Sequence, residues 1–157
     1  MANNPVTSVT VTYNVALVTV DNLPSSMKLI ADVLKAIAQE KINVDMISQA
    51  PSYKGNINVS FTISADDVVG AIGILNRFKK DVQDLYVEID ADNTKLSVYG
   101  EGMKGTSGVA AKIFIILAEN DIDVKLVTTS ETDISLLIYE KDVDKAVKCI
   151  KNEYSLT

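Results

Sequence analysis

Few side chains in this sequence could carry out covalent chemistry. The chain has no histidine and a single cysteine, Cys149, which excludes nucleophile–histidine pairs, imidazole acid–base catalysis, disulfides and cysteine–histidine metal sites. Cys149 falls at an inward position of a predicted helix and is interpreted as an inert core thiol. The acidic pair Asp66 and Asp67 lies at a predicted helix start, where capping explains it. The remaining side chains favour binding over catalysis, and no cofactor or metal is predicted.

The first candidate binding element is the turn Pro24, Ser25 and Ser26, which leads into a predicted helix at Met27. A helix start presents backbone N–H groups that have no intrahelical partner, and these favour an anion such as a carboxylate. Ser25 or Ser26 would also be favoured as an N-cap without any ligand. The residues alone leave both interpretations open.

Asn43 and Asp45 are a second candidate, on the strand predicted to follow that helix. They alternate with the inward residues Val44 and Met46, so they lie on the other face of the strand. Such residues are either binding groups or simply solvated strand residues, and the pattern does not decide between them.

Composition limits the class of protein. The 157 residues are 47% apolar and 23% charged, with a net charge of −6 and no basic block, which indicates a globular chain and makes nucleic acid and anionic membranes poor partners. The longest apolar run, Ile113 to Ala118, is far shorter than the roughly 20 residues of a membrane span. The polar start does not resemble a signal peptide. We therefore expect a cytoplasmic protein.

An internal repeat organises the chain. Two halves match when the sequence is shifted by 80 residues, and after the next turn by 75. The first set of matches is Ala31, Ile37, Ala38, Ile42, Val44 and Met46 with Ala111, Leu117, Ala118, Ile122, Val124 and Leu126. One structural unit therefore occurs twice.

Hydrophobic periodicity gives the order of elements within each unit. In the first unit it predicts strand 16–20, helix 27–38, hairpin strands 44–46 and 57–63, helix 68–78 and strand 85–89. This βαββαβ order is ferredoxin-like, an α+β fold with a four-stranded antiparallel sheet and two helices on one face.

The second unit repeats the order but stops before its fourth strand. It predicts strand 96–98, helix 110–117, strands 124–126 and 134–138, and helix 143–150. The orphan strand at residues 6–13 would complete its sheet, because an open edge is otherwise left unpaired. The predicted domains are therefore 14–91, and 6–13 together with 94–155.

Several functions use this fold, and two of them are disfavoured by the residues. RNA recognition needs stacking aromatics on the central strands, where this chain has Asn58, Ser60, Asp133 and Ser135. A metal chaperone needs paired cysteines, which are absent from the sequence.

Five motifs carry a family resemblance. They are Ile42–Gln49, Val59–Thr62, Gly100–Lys104, Gly108–Phe114 and Thr129–Glu131. In this order and spacing the chain resembles the paired ACT domains of aspartokinases, from about Val6 to Tyr154. That family also splits its second ACT domain around the first.

The resemblance implies a regulatory function. Aspartokinases phosphorylate aspartate, and their ACT pair binds end-product lysine or threonine for feedback inhibition. The resemblance also implies a homodimer through ACT domains and an aspartokinase catalytic domain or subunit as partner. No glycine-rich phosphate loop followed by lysine is present at the start, so the chain is not expected to be an enzyme by itself. It is either a regulatory subunit or a regulatory fragment.

The resemblance also implies roles for individual residues. The helix start would hold the effector carboxylate. The following strand would hold its ammonium group and side chain, with Asp45 supplying the negative charge. The helix would supply an apolar wall beside the ligand. These effector-binding residues are Ser25, Ser26, Met27, Leu29, Ile30, Asn43, Val44, Asp45 and Gln49. Thr129, Ser130 and Glu131 form either a plain polar hairpin or, as in the family, an interface near a partner's effector site.

The chain departs from the family at the effector loop. Family members usually read Pro-Asp-x-Pro-Gly where this chain has Pro24-Ser25-Ser26-Met27-Lys28. Some lysine-sensitive aspartokinases also have serine in this loop, and this resemblance favours lysine as the effector. The lost Asp, Pro and Gly support an alternative, an ACT dimerisation module that has lost effector binding. In the second unit the corresponding loop keeps Gly108 but has Ser107 in place of proline.

Overall fold

The computed structural model describes residues 4–157. Its strands are β1 (Ser8–Pro24), β2 (Ile47–Gln49), β3 (Asn56–Ser64), β4 (Tyr86–Tyr99), β5 (Val124–Thr129) and β6 (Asp133–Tyr139). Its helices are α1 (Met27–Gln39), α2 (Val68–Asp81), α3 (Val109–Glu119) and α4 (Val143–Glu153), with short 3-10 turns at Ala65–Asp67, Glu101–Gly105 and Glu140–Asp142. The predicted order of helices and strands is confirmed.

The chain divides into two compact units. The first unit is Asn14–Asp92, with strands in the order β2-β3-β1-β4. The second unit joins the described residues through Tyr13 to Asn93–Thr157, with the order β1-β4-β6-β5. In that unit the backbone N–H of Thr7 donates to the Tyr99 carbonyl at 2.8 Å. Each order is ferredoxin-like, and β1 and β4 each contribute to both units.

Each unit has its own core, as the two periodicities require. In α1 the buried positions Ile30, Val33 and Ile37 recur at three and four residues, while β3 buries alternate residues such as Val59 and Phe61. The second core is built in the same way from α3, α4 and β6. Cys149 is half-buried and packs against that second core, in agreement with its interpretation as a core thiol.

β1 and β4 are longer than predicted. The predicted strands 6–13 and 16–20 both fall in β1, except for residues 6 and 7, and the predicted strands 85–89 and 96–98 both fall in β4, except for residue 85. Asn14 in β1 and Asp92 in β4 have φ values of 58° and 61°, the left-handed region that Asn and Asp tolerate best. One such residue shifts the side-chain alternation by one position, as a bulge does. The buried positions therefore change from odd to even residue numbers within a single strand. Hydrophobic alternation alone predicts two separate strands there.

Three helices end on a left-handed residue that is not glycine. Lys41 follows α1 with φ 58°, Asp121 follows α3 with φ 54°, and Ser155 follows α4 with φ 51°. In the first two, N–H groups beyond the helix donate back to carbonyls of the last turn, as in the Ile42 to Ile37 and Ile122 to Leu117 bonds. Such bonds satisfy the carbonyls that a helix end leaves open.

Helix α2 contains two glycines, Gly70 and Gly73, on its exposed side. Glycine inside a helix costs about 1 kcal/mol relative to alanine. A Cβ at Gly73 would meet nothing within 4 Å, and one at Gly70 would meet only the Ile42 side chain at 3.4 Å. Packing within the described chain therefore does not explain Gly73.

Gly100 is different, because its lack of a side chain is required. A Cβ there would lie 1.9 Å from the Pro5 carbonyl oxygen, so the segment before β1 crosses directly over it. Gly105, five residues later, has open space around it.

Within residues 4–157, no helix is long and apolar enough to cross a membrane.

Candidate functional site

The loop before α1 is fixed to the β2–β3 hairpin. The Ser25 N–H donates to the Gly55 carbonyl at 2.9 Å. Lys54 and Gly55 have φ values of 49° and 78°, and Tyr53 and Asn56 exchange backbone hydrogen bonds across them. This is a two-residue hairpin turn, for which glycine at a left-handed position is favoured. The helix start and the hairpin tip therefore form one end of the first unit.

Ser26 is the N-cap of α1. It has an extended backbone, its Oγ accepts a long 3.4 Å hydrogen bond from the Leu29 N–H, and its carbonyl accepts from Ile30. The capping interpretation of this serine is thus realised. The N–H groups of Met27 and Lys28, in the first turn, have no intrahelical acceptor and remain suited to an anion. Met27 is 71% exposed, so the first turn is open to a ligand.

The apolar residues predicted to flank the ligand lie mainly in the core. Ile30 is buried, and Leu29 is half-buried against the same cluster. They anchor α1 to the sheet and can offer only their edges to a ligand. Lys28 points outward and pairs with Asp32 at 2.9 Å, a hydrogen bond that raises the pKa of Lys28.

Residues 43–45 precede β2, which begins at Ile47; the strand predicted from Val44 therefore starts later. The side chains of Asn43 and Asp45 are exposed and that of Val44 is half-buried. Buried Thr62 holds this segment. Its carbonyl accepts from the Asp45 N–H at 3.1 Å and its Oγ1 from the Met46 N–H at 2.9 Å.

The predicted effector residues do not all come together in one chain. Pro24 pairs with Asn56 at one end of β3, whereas Asp45 is bonded to Thr62, six residues further along β3. At about 3.3 Å per residue this separates them by about 20 Å. The cause is topological: α1 runs back along the sheet, so its start and the approach to β2 lie at opposite ends. Within one unit, Asp45 and Ser26 therefore lie too far apart to contact the same ligand.

Gln49 is nearer to the helix start. It pairs with Val59, three residues from Asn56, or about 10 Å along the strand. Paired residues share a face of the sheet, and Val59 belongs to the first core, so Gln49 is on the helix side. Gln49 is exposed because β2 is the edge strand. Of Asn43, Asp45 and Gln49, Gln49 lies nearest to the start of α1 along the sheet.

A matching arrangement occurs in the second unit, where Thr129, Ser130 and Glu131 were expected to form either a plain polar hairpin or an interface. The Gly100 N–H donates to the Thr132 carbonyl at 2.9 Å, so the loop before α3 is also fixed to a hairpin. Between them is an open cavity of about 300 Å³. It is lined by Met103, Lys104, Thr106, Gly108, Val109, Ala110, Thr129, Ser130, Glu131 and Ile134. Thr129, Ser130 and Glu131 therefore border a cavity within their own unit.

The electrostatics of this second loop depend on Glu101. Its carboxylate accepts a 2.7 Å hydrogen bond from the Tyr99 hydroxyl and pairs with Lys104 at 3.5 Å. The hydrogen bond from Tyr99, and then the charge of Lys104, lower the pKa of Glu101. The same hydrogen bond raises the pKa of the Tyr99 hydroxyl. Lys104 is thus partly neutralised at the cavity, while no described residue pairs with the Glu131 carboxylate.

Sequence reasoning missed two parts of this geometry. It gave no role to Thr62, although a threonine among apolar strand residues, between Phe61 and Ile63, signals a buried hydroxyl that needs a partner. It also did not predict the hydrogen bond between the Ser25 N–H and the Gly55 carbonyl. Across residues 4–157, no group of His, Cys, Asp and Glu could hold a metal ion.

Comparison with known proteins identifies the family of this fold. The ACT domain family model matches residues 20–77 and 96–154, so the chain is a tandem pair of ACT domains. An aspartokinase from Bacillus sp. (strain MGA3) is 36% identical over 140 residues, which is 89% of this chain and 34% of that protein. The chain spans about a third of the length of the curated relatives it matches.

Solved structures cover the chain almost completely. The regulatory subunit of aspartate kinase from Thermus thermophilus, in a ligand-free form, is 26% identical with a TM-score of 0.85, over 94% of this chain and 97% of that one. A chain in the structure of aspartokinase alpha and beta subunits is 32% identical with a TM-score of 0.87, over 96% and 99%. The chain therefore belongs to the aspartokinase family, and its residues form the regulatory ACT region.

Proposed function

We propose that this chain senses lysine or threonine and thereby inhibits an aspartokinase catalytic domain or subunit. The observation that carries the proposal is the open first turn of α1, joined through Ser25 and Gly55 to the hairpin of the first unit. The similar chain in the structure of aspartokinase alpha and beta subunits supports a catalytic partner on a separate chain. A cytoplasmic location accords with a biosynthetic enzyme of this kind.

The effector carboxylate binds at the start of α1. The free N–H groups of Met27 and Lys28 and the positive end of the helix dipole favour it there. Ser25 is exposed and its hydroxyl is available as a further donor. Gln49, on the helix face of β2, supplies a donor and an acceptor for the polar atoms of the ligand.

The ammonium group needs a negative charge that Asp45 of the same unit cannot supply across about 20 Å. We assign this role to Glu131 from the second unit of a partner chain. Its carboxylate is exposed and has no cation partner among the described residues. Thr129 and Ser130, next to it, are exposed hydroxyls at the same hairpin.

A homodimer would bring these groups together. Helix α3 has an exposed apolar face formed by Ala111, Phe114, Ile115 and Ala118. The edge strands β2 and β5 expose Ile47 and Val127. Apolar faces beside open strand edges are covered in most proteins. We propose that α3 and β5 of one chain cover α1 and β2 of another.

We also propose that the boundaries of the two ACT domains follow the two compact units of the fold.

Regulation then follows from linkage. An effector bound at the junction of two chains stabilises the arrangement in which both chains contact it. It shifts the catalytic partner only by its difference in affinity for the two arrangements, typically about 1–3 kcal/mol.

The test is calorimetric titration of the purified chain with lysine, threonine and, as a control, alanine, combined with sizing with and without each ligand. Saturable heat with lysine or threonine, but not alanine, together with a more compact or larger species, is expected. Absence of heat and of any size change at millimolar ligand would support the alternative, a dimerisation module without effector binding. A monomer in all conditions would contradict both.

A further inference from the structure

Helix α2 has an outer face that no described residue covers. Val69, Gly73, Asn76 and Lys80 follow one another at three and four residues, so they lie on one side of the helix. Asp66 precedes them in the 3-10 turn Ala65–Asp67, where its carboxylate accepts a hydrogen bond from Asn14 at 3.1 Å. Val69 is 83% exposed, the highest value among the large apolar residues, and Ile72 beside it is 40% exposed. The opposite side is buried in the first core through Ala71, Ile74 and Leu75.

Gly73 stands at the centre of this face. A side chain there would meet open space, so no neighbour within the described chain requires a glycine. A glycine on an exposed helix surface is useful when another backbone approaches it closely. Together with exposed Val69 and Ile72, it marks a place where a second helix fits.

The charges of α2 indicate which helix that is. Asp66 and Asp67 stand at its amino-terminal end and Lys79 and Lys80 at its carboxy-terminal end. Asp66 and Lys80 are each seven residues from Gly73. A copy of α2 placed antiparallel about a two-fold axis at Gly73 therefore sets Asp66 opposite Lys80 at both ends.

We propose that the α2 face is a self-association surface, on which α2 of a second copy packs antiparallel with Gly73 at the two-fold axis. The surface is separate from α1, α3 and the strand edges of the proposed homodimer, so it would join dimers into a larger assembly. It does not depend on effector binding. One helix face buries less than the about 1,200 Å² of a stable interface, so the association should be weak and concentration-dependent.

Cysteine cross-linking tests the two-fold axis directly. In a Cys149→Ser background, Gly73→Cys places one thiol against its own copy, and mild oxidation should give a disulfide-linked dimer. Lys80→Cys is the matched control on the same exposed face. Its two copies would lie about 21 Å apart, twice seven residues at 1.5 Å, too far for a disulfide. No cross-link at Gly73→Cys, or equal cross-linking at both positions, would overturn the proposal.

Charge exchange tests the same pairing by another route. Analytical ultracentrifugation should show weaker association for Asp66→Lys and for Lys80→Glu, roughly three- to tenfold each because the two-fold axis repeats every pair. The double variant should return to within about twofold of the parent, since it restores both pairs. Thermal unfolding confirms that each variant is folded. Additive losses in the double variant would refute the pairing, and Gly73→Leu should weaken association without unfolding the chain.

Discussion

The position of Asp45 gives the sharpest test of the effector site. Sequence reasoning made Asp45 the counter-charge of the ligand ammonium group, whereas the structure bonds it to Thr62, about 20 Å along β3 from the start of α1. We therefore predict that Asp45→Asn leaves effector affinity nearly unchanged, and that Gln49→Ala weakens it strongly.

The expected magnitudes follow from these distances. Two unit charges 20 Å apart in water interact by about 0.2 kcal/mol, equivalent to about 1.4-fold in affinity. Salt reduces this further, because the screening length is about 8 Å at physiological ionic strength. Loss of a hydrogen bond from Gln49 to a charged ligand group would instead cost about 1.5–3 kcal/mol, or roughly 10- to 150-fold.

The assay is calorimetric titration of the parent, Asp45→Asn and Gln49→Ala chains with the same effector. Thermal unfolding without ligand serves as the control for folding. A loss of tenfold or more in Asp45→Asn, in a chain that unfolds at the parental temperature, would refute the assignment of the counter-charge to Glu131. It would mean that Asp45 reaches an effector held by another chain.

Three further predictions concern stability. Gly100→Ala should lose about 1–3 kcal/mol in urea unfolding because its Cβ would overlap a backbone carbonyl, while Gly105→Ala, with open space around it, should change little; equal losses would contradict this. Thr62→Val should lose about 1–3 kcal/mol because a buried N–H then lacks its acceptor, and an unchanged midpoint would refute that role. Tyr99→Phe should raise the pKa of Glu101 towards its ordinary value, measured by NMR titration. A carboxyl whose pKa is lowered in the folded state stabilises the fold at pH values above its ordinary pKa, and this stabilisation is lost as the pH falls through the folded pKa. The stability of the variant should therefore be less sensitive to acid. An unchanged pKa of Glu101 would exclude the hydrogen bond.

The helices were predictable because their apolar spacing is written directly in the sequence. The period of three and four residues placed α1 at 27–38, within one residue of its observed end. The same reasoning failed at Asn14 and Asp92, where a left-handed residue inside a strand changes the phase of burial. Periodicity records which face a residue occupies, and it cannot distinguish a bulge from a break.

The candidate site was predictable only where it is local. The cap at Ser26 depends on residues three positions apart, so the sequence alone could suggest it. The position of Asp45 along the sheet depends on how the strands are registered against one another, and the alternation of apolar and polar residues does not specify that register. The contact between Ser25 and Gly55 joins residues 30 positions apart in the sequence, and depends on the hairpin tip reaching the helix start.

The left-handed residues that end α1 and α3 show how the duplicated unit has diverged. Lys41 and Asp121 are 80 positions apart, the same offset that aligns the two helices. The two copies thus share a backbone turn that favours glycine, yet neither copy has glycine there, and their side chains carry opposite charges. After duplication, backbone geometry has persisted where residue identity has not. Each unit can therefore present different side chains to its surroundings on the same backbone geometry.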